Sequence, residues 1–499
     1  MTRSPRSLIL VTVDCLRADH VGFSGYRGQT TPFLDSLANE SFVFANAIAS
    51  GVPTYYSLPA LLASRYPLAL GRDVIGVAPG ENTIATELKE SGFATAAFAA
   101  ANPYISSAHG YDSGFDTFKD FLHADDLAGP SFQTDCRPPF SRSRTRANEL
   151  LAQTCHRLPL LGAAYDEVYF QYCQKVSRGD DSFDAQRRFP SADVLIDCAT
   201  EWIDQYSSDR FFLWIHLMDP HAPYFPKLQE GPEAAGDRLN GQRAKYLNSY
   251  WARGDLSVAR LQKKRRDILN LYDAGIRWAD LQIQRLVRKV GEAGVLDDCV
   301  IAVTADHGEE FLDHGGRYHL PVSLHEELVH VPLLLRIPGV AEPREINEPI
   351  GLIDLAPTLL NALEISAPAS FRGRSCWSHL LNNKPCDWPV ITECAYRCSN
   401  PFQREKRSAP RLLSIRKDRY KLIVNFALAA EQLFDLKSDP DEFDPLPLGI
   451  AKAERKFLLQ CVERHIEQNC KSRNIDLRLA AQLRDQRLNW TQLPRDTVN

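Results

Sequence analysis

The sequence predicts an α/β protein with a mostly parallel central sheet, helices on both faces, and a small C-terminal antiparallel sheet subdomain. Three observations support this prediction. Short apolar runs rich in β-branched residues, such as LILVTVD and CVIAVTAD, are typical of buried parallel strands. Longer amphipathic segments lie between these runs, which indicates strands alternating with helices. After about residue 370 the pattern changes to closely spaced strands and turns.

The N-terminal part begins with the strand LILVTVD. Thr30 or Thr31 followed by Pro32 is a helix-start signal, and the apolar residues after it fall on one helical face. A second helix is expected over 57–63, opened by Ser57, and a third over Thr83–Ser91. FATAAFAA then reads as a strand.

The middle of the chain contains an irregular excursion over 120–190, which is rich in Pro, Ser, Arg and Asp. A regular pattern follows it, with a helix over 191–206, the strand FFLWIHL and a long amphipathic helix over 256–293. CVIAVTAD and VPLLLRIPG are the next strands, and IDLAPTLLNALEI is a helix that should pack on the sheet.

The C-terminal part has a different period. LLSIRKDRYKLIVNF is typical of a hairpin turning at Lys417 and Asp418, EQLFDL of a third strand, and 450–469 of a helix. We therefore expect a catalytic α/β domain over 1–368, an antiparallel subdomain over 369–470, and a polar tail over 471–499.

Composition excludes several functional classes. The 58 basic and 63 acidic residues give a net charge of −5 without long single-sign runs, which argues against nucleic acid as the main partner. No apolar stretch approaches the roughly 20 residues of a membrane span. The N-terminal apolar run ends at Asp14 and is interpreted as a strand rather than a signal peptide. With twelve scattered cysteines, this predicts reduced thiols and a cytoplasmic location.

Polar side chains follow three of the predicted strands at their carboxyl ends. Ligands of open α/β sheets bind at this edge, so these side chains should converge if the strands are neighbours. The residues are Asp14 after the first strand, His216, Asp219 and His221 at the next, and Asp306 with His307 at the third.

Asp14, Asp306 and His307 together offer two carboxylates and one imidazole. This set suits one or two divalent ions of Mg, Ca, Mn or Zn, which would also relieve the repulsion between the carboxylates. Asp14 alone could equally cap the following helix. His325 and His330 lie where a helix gives way to a strand and are interpreted as structural or surface residues.

The motifs resemble the sulfatase family of the alkaline-phosphatase superfamily nearly from end to end. VTVDCLRADHVGFSGY is similar to the opening metal motif of that family, and TTPFLDSLANESFVFANAIA to its next segment. GFDTF, HLMDPHAPY, TADHGEEF, VHVPLLLRIPG and DLAPTLLNAL follow in the family's order. RYKLIVN and LFDLKSDPDE resemble its C-terminal part. The resemblance implies a large α/β domain followed by a smaller antiparallel sheet.

The resemblance also implies roles for single residues. Asp14, Asp306 and His307 become metal ligands. His221 would contact the transferred group of the substrate or a second metal, and His319 would protonate the leaving group. Arg17 would contact the substrate oxygens. Asp219, as a ligand of a second metal, and His314 are weaker candidates.

Two positions depart from the family pattern. A second acid often follows the first, but Cys15 stands there and is interpreted as a buried packing residue. Formylglycine sulfatases have a Cys or Ser within C/S-x-P-S-R, whereas this chain has TYYSLPALLASRYP, which places Thr54 at the nucleophile position. Ser57 is the alternative nucleophile, although a helix N-cap is the simpler interpretation of its side chain.

A threonine cannot be oxidised to formylglycine, so the hydroxyl itself would attack. Threonine nucleophiles are similar to those of phosphodiesterases and phosphoethanolamine transferases in the same superfamily. The sequence therefore predicts a metal-dependent hydrolase of sulfate or phosphate-type esters. The threonine nucleophile favours phosphoester, phosphodiester or phosphonate substrates among these. The substrate would be an anionic ester of a small molecule, glycan or lipid headgroup. A headgroup transferase and a non-catalytic binding protein on a degenerate scaffold are the alternatives.

Overall fold

The computed structural model describes residues 5–122, 153–176, 183–227, 240–339 and 344–469. Much of the predicted excursion over 120–190 and the whole predicted tail over 471–499 lie outside these ranges. The described part of the excursion includes the helices Pro159–Val176 and Phe183–Gln186.

Strands and helices alternate along most of the described chain. The strands are β1 (Ser7–Val13), β2 (Phe42–Ile48), β3 (Ala94–Ala99), β4 (Thr117–Lys119), β5 (Phe211–Leu217), β6 (Cys299–Ala305), β7 (Glu310–Phe311), β8 (Arg317–Tyr318), β9 (His330–Arg336), β10 (Arg344–Ile346), β11 (Ile350–Gly351), β12 (Val390–Ala395), β13 (Arg411–Lys417), β14 (Tyr420–Asn425) and β15 (Ala430–Asp435).

The helices lie mainly between these strands. They are α1 (Pro32–Ala38), α2 (Thr54–Ala63), α3 (Ile84–Glu90), α4 (Pro159–Val176), α5 (Phe183–Gln186), α6 (Ala192–Tyr206), α7 (Gly241–Trp251), α8 (Val258–Glu292), α9 (Glu326–Val329), α10 (Leu355–Ala362), α11 (Trp377–Leu381), α12 (Arg404–Arg407) and α13 (Lys452–Asn469).

The large sheet has the strand order β10-β2-β9-β6-β1-β5-β3-β4, and β11 pairs with β2. Its strand pairs are parallel except for the two made by β9, which runs antiparallel to both β2 and β6. The predicted mostly parallel sheet is therefore confirmed, and the apolar run VPLLLRIPG forms the reversed strand. Periodicity does not encode strand direction, because a doubly buried strand is apolar throughout in either direction.

The central strands of this sheet are buried along their whole length. Every residue of β1, β5 and β6 is buried, and a fully buried Leu, Ile or Val side chain contributes about 1.5–3 kcal/mol. Helix α8 packs against α6 and α1 with the apolar face that the sequence predicted over 256–293. This rigid centre fixes the positions of the residues that follow the strands.

A second sheet follows near the C-terminus, with the antiparallel order β12-β13-β14-β15. The predicted hairpin is present, since Lys417 pairs with Tyr420 across a turn in which Asp418 has a positive φ of 52°. The edge strand β12 is a further member that the sequence did not predict. Helix α13 packs on β13. The predicted small antiparallel sheet is thus confirmed.

The two sheets share a buried apolar cluster. Ile48 and Val52 from the large-sheet region pack with Val390, Leu412 and Phe434 from the small sheet. Because this contact is continuous, the domain limits at 368 and 470 remain a prediction. No helix among the described residues combines the length and apolar character that crossing a membrane requires.

Candidate active site

Two buried carboxylates meet at the carboxyl edge of the large sheet. Val13 is the register partner of Ala305, so Asp14 and Asp306 leave neighbouring parallel strands at the same level. The Nε2 atom of His307 lies 3.4 Å from Asp306 Oδ2 and 3.7 Å from Asp14 Oδ1. All three side chains are fully buried. The structure therefore brings together the three residues predicted as metal ligands.

The predicted nucleophile lies directly against this group. The Thr54 hydroxyl oxygen is 3.1 Å from His307 Nε2 and 3.4 Å from Asp14 Oδ2. Thr54 is the first residue of α2, where backbone N–H groups lack partners within the helix and favour an anion nearby. These distances place a hydroxyl oxygen and the start of a helix beside the two carboxylates.

Ser57 occupies a different position from the one predicted. The helix begins three residues earlier than expected, so Ser57 lies inside its first turn and does not cap it. Its hydroxyl is 3.3 Å from Asp306 Oδ2 and 3.3 Å from the Thr54 carbonyl oxygen. The N-cap interpretation was wrong because the periodic apolar pattern does not show where the first turn starts.

The tautomer of His307 follows from its neighbours. Its Nδ1 atom lies 2.8 Å from the Gly308 carbonyl oxygen, which can only accept a hydrogen bond. Nδ1 therefore bears the proton, and Nε2 presents its lone pair to Thr54 and the two carboxylates. An imidazole held in this way by a backbone carbonyl is a typical metal ligand.

His221 and His319 complete the group. The His319 ring lies 4.8 Å from the His307 ring and 5.0 Å from the His221 ring, centroid to centroid. Nδ1 of His221 donates to the Ala222 carbonyl, so its Nε2 also presents a lone pair. Burial lowers the pKa of His221 and favours its neutral form.

His319 is in the opposite electrostatic state. Its Nδ1 atom lies 2.7 Å from Glu309 Oε2, and the Tyr224 hydroxyl donates to the other oxygen of Glu309 at 2.5 Å. Burial alone would lower the pKa of His319, but the Glu309 carboxylate outweighs it and raises that pKa. The structure thus places one neutral and one readily protonated imidazole side by side.

Several residues that the sequence left without a role hold Asp14 in place. His216 Nε2 and Asn102 Nδ2 lie 3.3 and 3.2 Å from Asp14 Oδ2. Burial favours the neutral acid, but the surrounding histidines His221, His216 and His307 outweigh it and keep the pKa of Asp14 well below its usual value. Glu309 could have been found as a neighbour of Asp306 in DHGEE, whereas Asn102 follows no motif.

Cys15 is buried as predicted, but its sulfur contacts polar side chains. Its sulfur lies 3.1 Å from Asp14 Oδ1 and 3.3 Å from His319 Nδ1. Its backbone is left-handed with a φ of 63°, a conformation that costs a residue with a Cβ roughly 1–2 kcal/mol. The thiol thus lies among side chains that can act as metal ligands.

Arg17 has other partners than a substrate. Its Nε and Nη2 atoms donate to Asp19 at 2.8 and 2.6 Å. Nη1 donates to Asp313 Oδ2 at 2.9 Å and to the Glu309 carbonyl at 3.0 Å. The guanidinium thus ties the end of β1 to the loop that follows Asp306, which is a positioning role.

Two weaker candidates are placed elsewhere. Asp219 accepts hydrogen bonds from the Ala192 N–H at 3.0 Å and the Ser191 hydroxyl at 3.3 Å, and so holds the start of α6. Burial raises the pKa of Asp219 to about 6. His314 forms a separate cluster with His325 and Glu327. Asp219 thus has partners at the start of α6, and a second metal site with His221 and His319 stays a prediction.

The strand-end residues suit a divalent cation. Ligand atoms of Asp14, Asp306 and His307 all lie within 4.8 Å of one another. In the described part of the chain, no Lys or Arg pairs with either carboxylate. Two buried carboxylates without a protein cation, facing an imidazole lone pair, form a donor set that a divalent ion satisfies.

The fold and the position of these side chains at its strand ends define an alkaline-phosphatase-like α/β protein. Residues 6–365 match the family model of the sulfatases, so the chain belongs to the sulfatase family of hydrolases. Residues 318–468 match the model described as N-sulphoglucosamine sulphohydrolase, C-terminal. Both the family resemblance and the predicted enzyme class are confirmed.

Curated relatives include arylsulfatases and a broader enzyme. The multifunctional alkaline phosphatase superfamily protein PehA of Trinickia caryophylli is 24% identical and covers 89% of this chain and 91% of its own length. The arylsulfatase of Clostridium perfringens is 24% identical over 88% of this chain and 90% of its own. Arylsulfatase K of Xenopus laevis is 25% identical, and the chain spans only 50% of that protein.

Solved structures give the same fold. The phosphonate monoester hydrolase of Agrobacterium radiobacter has a TM-score of 0.63 at 18% identity, covering 94% of this chain and 96% of its own. A structure in complex with its substrate D-glucosamine-2-N,6-O-disulfate has a TM-score of 0.64 at 18% identity, covering 95% and 99%. These similarities support the fold.

Proposed function

We propose that the protein is a divalent-metal-dependent hydrolase of anionic esters, with Thr54 as nucleophile and phosphate or phosphonate esters preferred over sulfate esters. The observation that supports this most directly is the Thr54 hydroxyl, 3.1 Å from His307 Nε2 and 3.4 Å from Asp14 Oδ2. A hydroxyl needs a metal or base within this range to become a nucleophile.

Asp14, Asp306 and His307 would hold the metal. When bound, a divalent ion supplies positive charge that polarises an oxygen of the transferred group and lowers the pKa of a neighbouring hydroxyl. The candidates are Ca, Mg, Mn and Zn, with one or two ions bound. The protein's own contribution is to bury the donors and fix their tautomers.

The nucleophile acts from a fixed position. Asp14 Oδ2 lies 3.4 Å from the Thr54 hydroxyl and can accept its proton during attack, because a carboxylate keeps further lone pairs when it binds a metal. The oxygen then forms a bond to phosphorus or sulfur while the ester bond to the leaving group breaks. The N-terminus of α2 favours the charge of the transferred group.

His319 is suited to protonate the leaving group. Glu309 keeps Nδ1 protonated, raises the pKa of the ring, and leaves Nε2 to deliver a proton to the departing oxygen. The neutral His221, 5.0 Å away between ring centroids, presents the Nε2 lone pair, which is suited to a metal ion or to a substrate oxygen that bears a proton. Water would then cleave the covalent threonine ester with His319 as the base.

The preference for phosphorus rests on the nucleophile. A formylglycine hydrate can expel its sulfate by breaking a C–O bond, whereas a threonine ester must be opened by water attacking the transferred atom. A phosphonate monoester hydrolase has the same fold, and an arylsulfatase is as similar in sequence as PehA, so the preference depends on the nucleophile. The substrate would be a small molecule, glycan or lipid headgroup.

The free thiols of nine described cysteines support the proposed cytoplasmic location, which cell fractionation would check.

The first experiment combines metal analysis with a substrate panel. We expect turnover of p-nitrophenyl phosphate, bis-p-nitrophenyl phosphate or p-nitrophenyl phenylphosphonate to exceed that of p-nitrophenyl sulfate. Thr54→Ala should lower kcat/KM at least about 1,000-fold while the circular dichroism spectrum stays unchanged. Thr54→Ser keeps the hydroxyl and should retain measurable turnover.

Ser57→Ala is the matched control, because it removes the neighbouring hydroxyl of the same helix turn. It should cost less than about tenfold in kcat/KM, because Ser57 only positions Asp306. The opposite result, with Ser57→Ala inactive and Thr54→Ala active, would reassign the nucleophile. A wild-type protein that binds substrate analogues but turns over none of the panel would support the binding-protein alternative.

A further inference from the structure

We infer that Cys15 is a ligand of the same metal centre, and that this centre takes a thiophilic transition ion such as Zn²⁺ in preference to Ca²⁺ or Mg²⁺. The inference rests on the proposed function for the existence of the metal centre. It goes beyond it by adding a ligand and by choosing among the metals.

The sulfur of Cys15 lies among ligand-type atoms. Cys15 Sγ is 3.1 Å from Asp14 Oδ1 and 3.3 Å from His319 Nδ1. It forms one group with His307 and His319, and another with Asp14 and His221, whose ligand atoms lie within 4.8 Å of one another. A thiol in this position belongs to the ligand cluster rather than to the apolar core.

The other buried cysteines have different surroundings, which is independent support for the inference. Six of them lie in the apolar clusters of the protein, namely Cys299, Cys376, Cys386, Cys394, Cys398 and Cys461. Cys15 is fully buried yet belongs to none of these clusters. Free cysteines normally pack as small hydrophobic residues, so a thiol among carboxylates and imidazoles needs another explanation.

The chemistry of the donors selects the metal. Hard ions such as Ca²⁺ and Mg²⁺ take oxygen ligands almost exclusively. Thiolate and imidazole ligands favour Zn²⁺ and related transition ions. The group around Cys15 offers one sulfur and the imidazole lone pairs of His307 and His221, beside the carboxylates of Asp14 and Asp306. Nitrogen and sulfur therefore outnumber carboxylates in this group.

Metal binding would change the protonation of Cys15 in a defined way. A cysteine ligates as the thiolate, so the S–H bond is replaced by a sulfur–metal bond and one proton leaves to solvent. A carboxylate at this position would supply a hard oxygen instead, so the thiol favours a softer metal than an acid would.

The test is cobalt substitution of the full-length protein. After chelation of its metal, wild-type protein reloaded with Co²⁺ should show a near-ultraviolet thiolate-to-cobalt charge-transfer band. Cys15→Ser should lose the band and bind Zn²⁺ at least about 100-fold more weakly. Cys198→Ser, which removes a thiol outside the cluster, should keep both. Cys15→Asp should shift the preference from Zn²⁺ towards Ca²⁺ or Mg²⁺, measured by competition and mass-spectrometric metal analysis.

Thr54→Ala separates this inference from the proposed mechanism. It should abolish turnover but keep the cobalt–thiolate band, because Thr54 is not a sulfur ligand. A wild-type protein that binds Co²⁺ without the band would overturn the role of Cys15 and leave the proposed hydrolase standing. A folded wild-type protein that binds no divalent ion would overturn both. Circular dichroism and the Tm of each variant confirm that it is folded.

Discussion

Two buried clusters of histidines and carboxylates in this molecule use the same residue types to different ends. The strand-end cluster consists of Asp14, Asp306, His307 and His319. The junction cluster lies between the large sheet and the small sheet and consists of His314, His325, Glu326, Glu327, Glu442 and Lys421. The difference between them is the source of the positive charge.

The junction cluster is neutralised by the protein itself. Lys421 is only 1% exposed and lies 2.8 Å from Glu326 and 3.0 Å from Glu442. His314 Nδ1 contacts Glu327 at 2.7 Å and its Nε2 contacts the Glu442 carbonyl at 3.2 Å. Both nitrogens face acceptors, so the ring is an imidazolium. Glu326, Glu327 and Glu442 therefore each lie beside a cationic side chain of the protein.

The junction cluster also has the wrong geometry for a metal. The His314 and His325 rings stack with centroids 3.7 Å apart and an interplanar angle of 24°. Imidazole lone pairs lie in the ring plane, so nearly parallel rings cannot aim both at one ion. In the strand-end cluster, by contrast, the carboxylates meet imidazole lone pairs instead of lysine or arginine. Both clusters contain the same residue types. The site that would bind a ligand is therefore marked by buried carboxylates that have no described lysine or arginine beside them.

The largest expected effect tests the strand-end cluster. Asp306→Asn removes a carboxylate that no protein cation balances, so we expect metal content to fall and kcat/KM to drop at least about 1,000-fold. Metal-free protein should lose little stability, because one source of repulsion is also removed. Metal analysis, kinetics and urea unfolding would measure these three results. Retained metal and activity would contradict the comparison.

The second-largest expected effect is in the junction cluster, where a substitution should lower stability but leave metal binding and activity unchanged. Lys421→Met leaves Glu442 buried without its cation and Glu326 with Arg416 alone, which should lower the free energy of unfolding by about 3–5 kcal/mol. The Zn²⁺ affinity and kcat of the folded fraction should stay near wild type. Lys417→Met is the matched control. Its partners Asp387 and Asp418 are exposed, so it should cost under about 1 kcal/mol. Equal losses in both variants would count against a buried counter-charge at Lys421.

The smallest expected effect is the pH dependence of the junction cluster. Burial alone would lower the pKa of His314, but the hydrogen bond and charge of Glu327 outweigh it and raise the pKa to about 9. The folded pKa exceeds the unfolded value, so this stabilisation is complete below about pH 6.5 and is lost as pH rises through 9. It amounts to at most about 3 kcal/mol.

Unfolding free energies between pH 7.5 and 10 would show this loss in wild type, and the decline should be smaller in His314→Gln, where the buried thiols still contribute to it. Burial raises the pKa of Glu310 and Glu442 to about 7, so their own contributions are lost at lower pH and do not obscure this window. A wild-type protein whose stability stays constant over this range, relative to the variant, would show that His314 is not charged in the fold.

Sequence patterns were sufficient for much of the strand-end cluster. Asp14 and Asp306 each follow an apolar run, and parallel strands place their carboxyl ends at one edge, so the meeting of these two residues could be predicted. The motif order added Thr54 and His319. Sequence patterns did not predict hydrogen-bond partners that are distant in the chain. An example is Asn102, which lies in a loop after β3 and contacts Asp14.

By itself, the sequence determined the alternation of strands and helices, the small second sheet and the family, because these depend on local periodicity and on the order of motifs. Only the tertiary structure decided the reversed direction of β9, the partners of Arg17, and the place of the Cys15 thiol among ligand atoms. The physical reason is that periodicity records which face of an element is buried. It does not record which distant side chains share that burial, and the chemistry of this site depends on those neighbours.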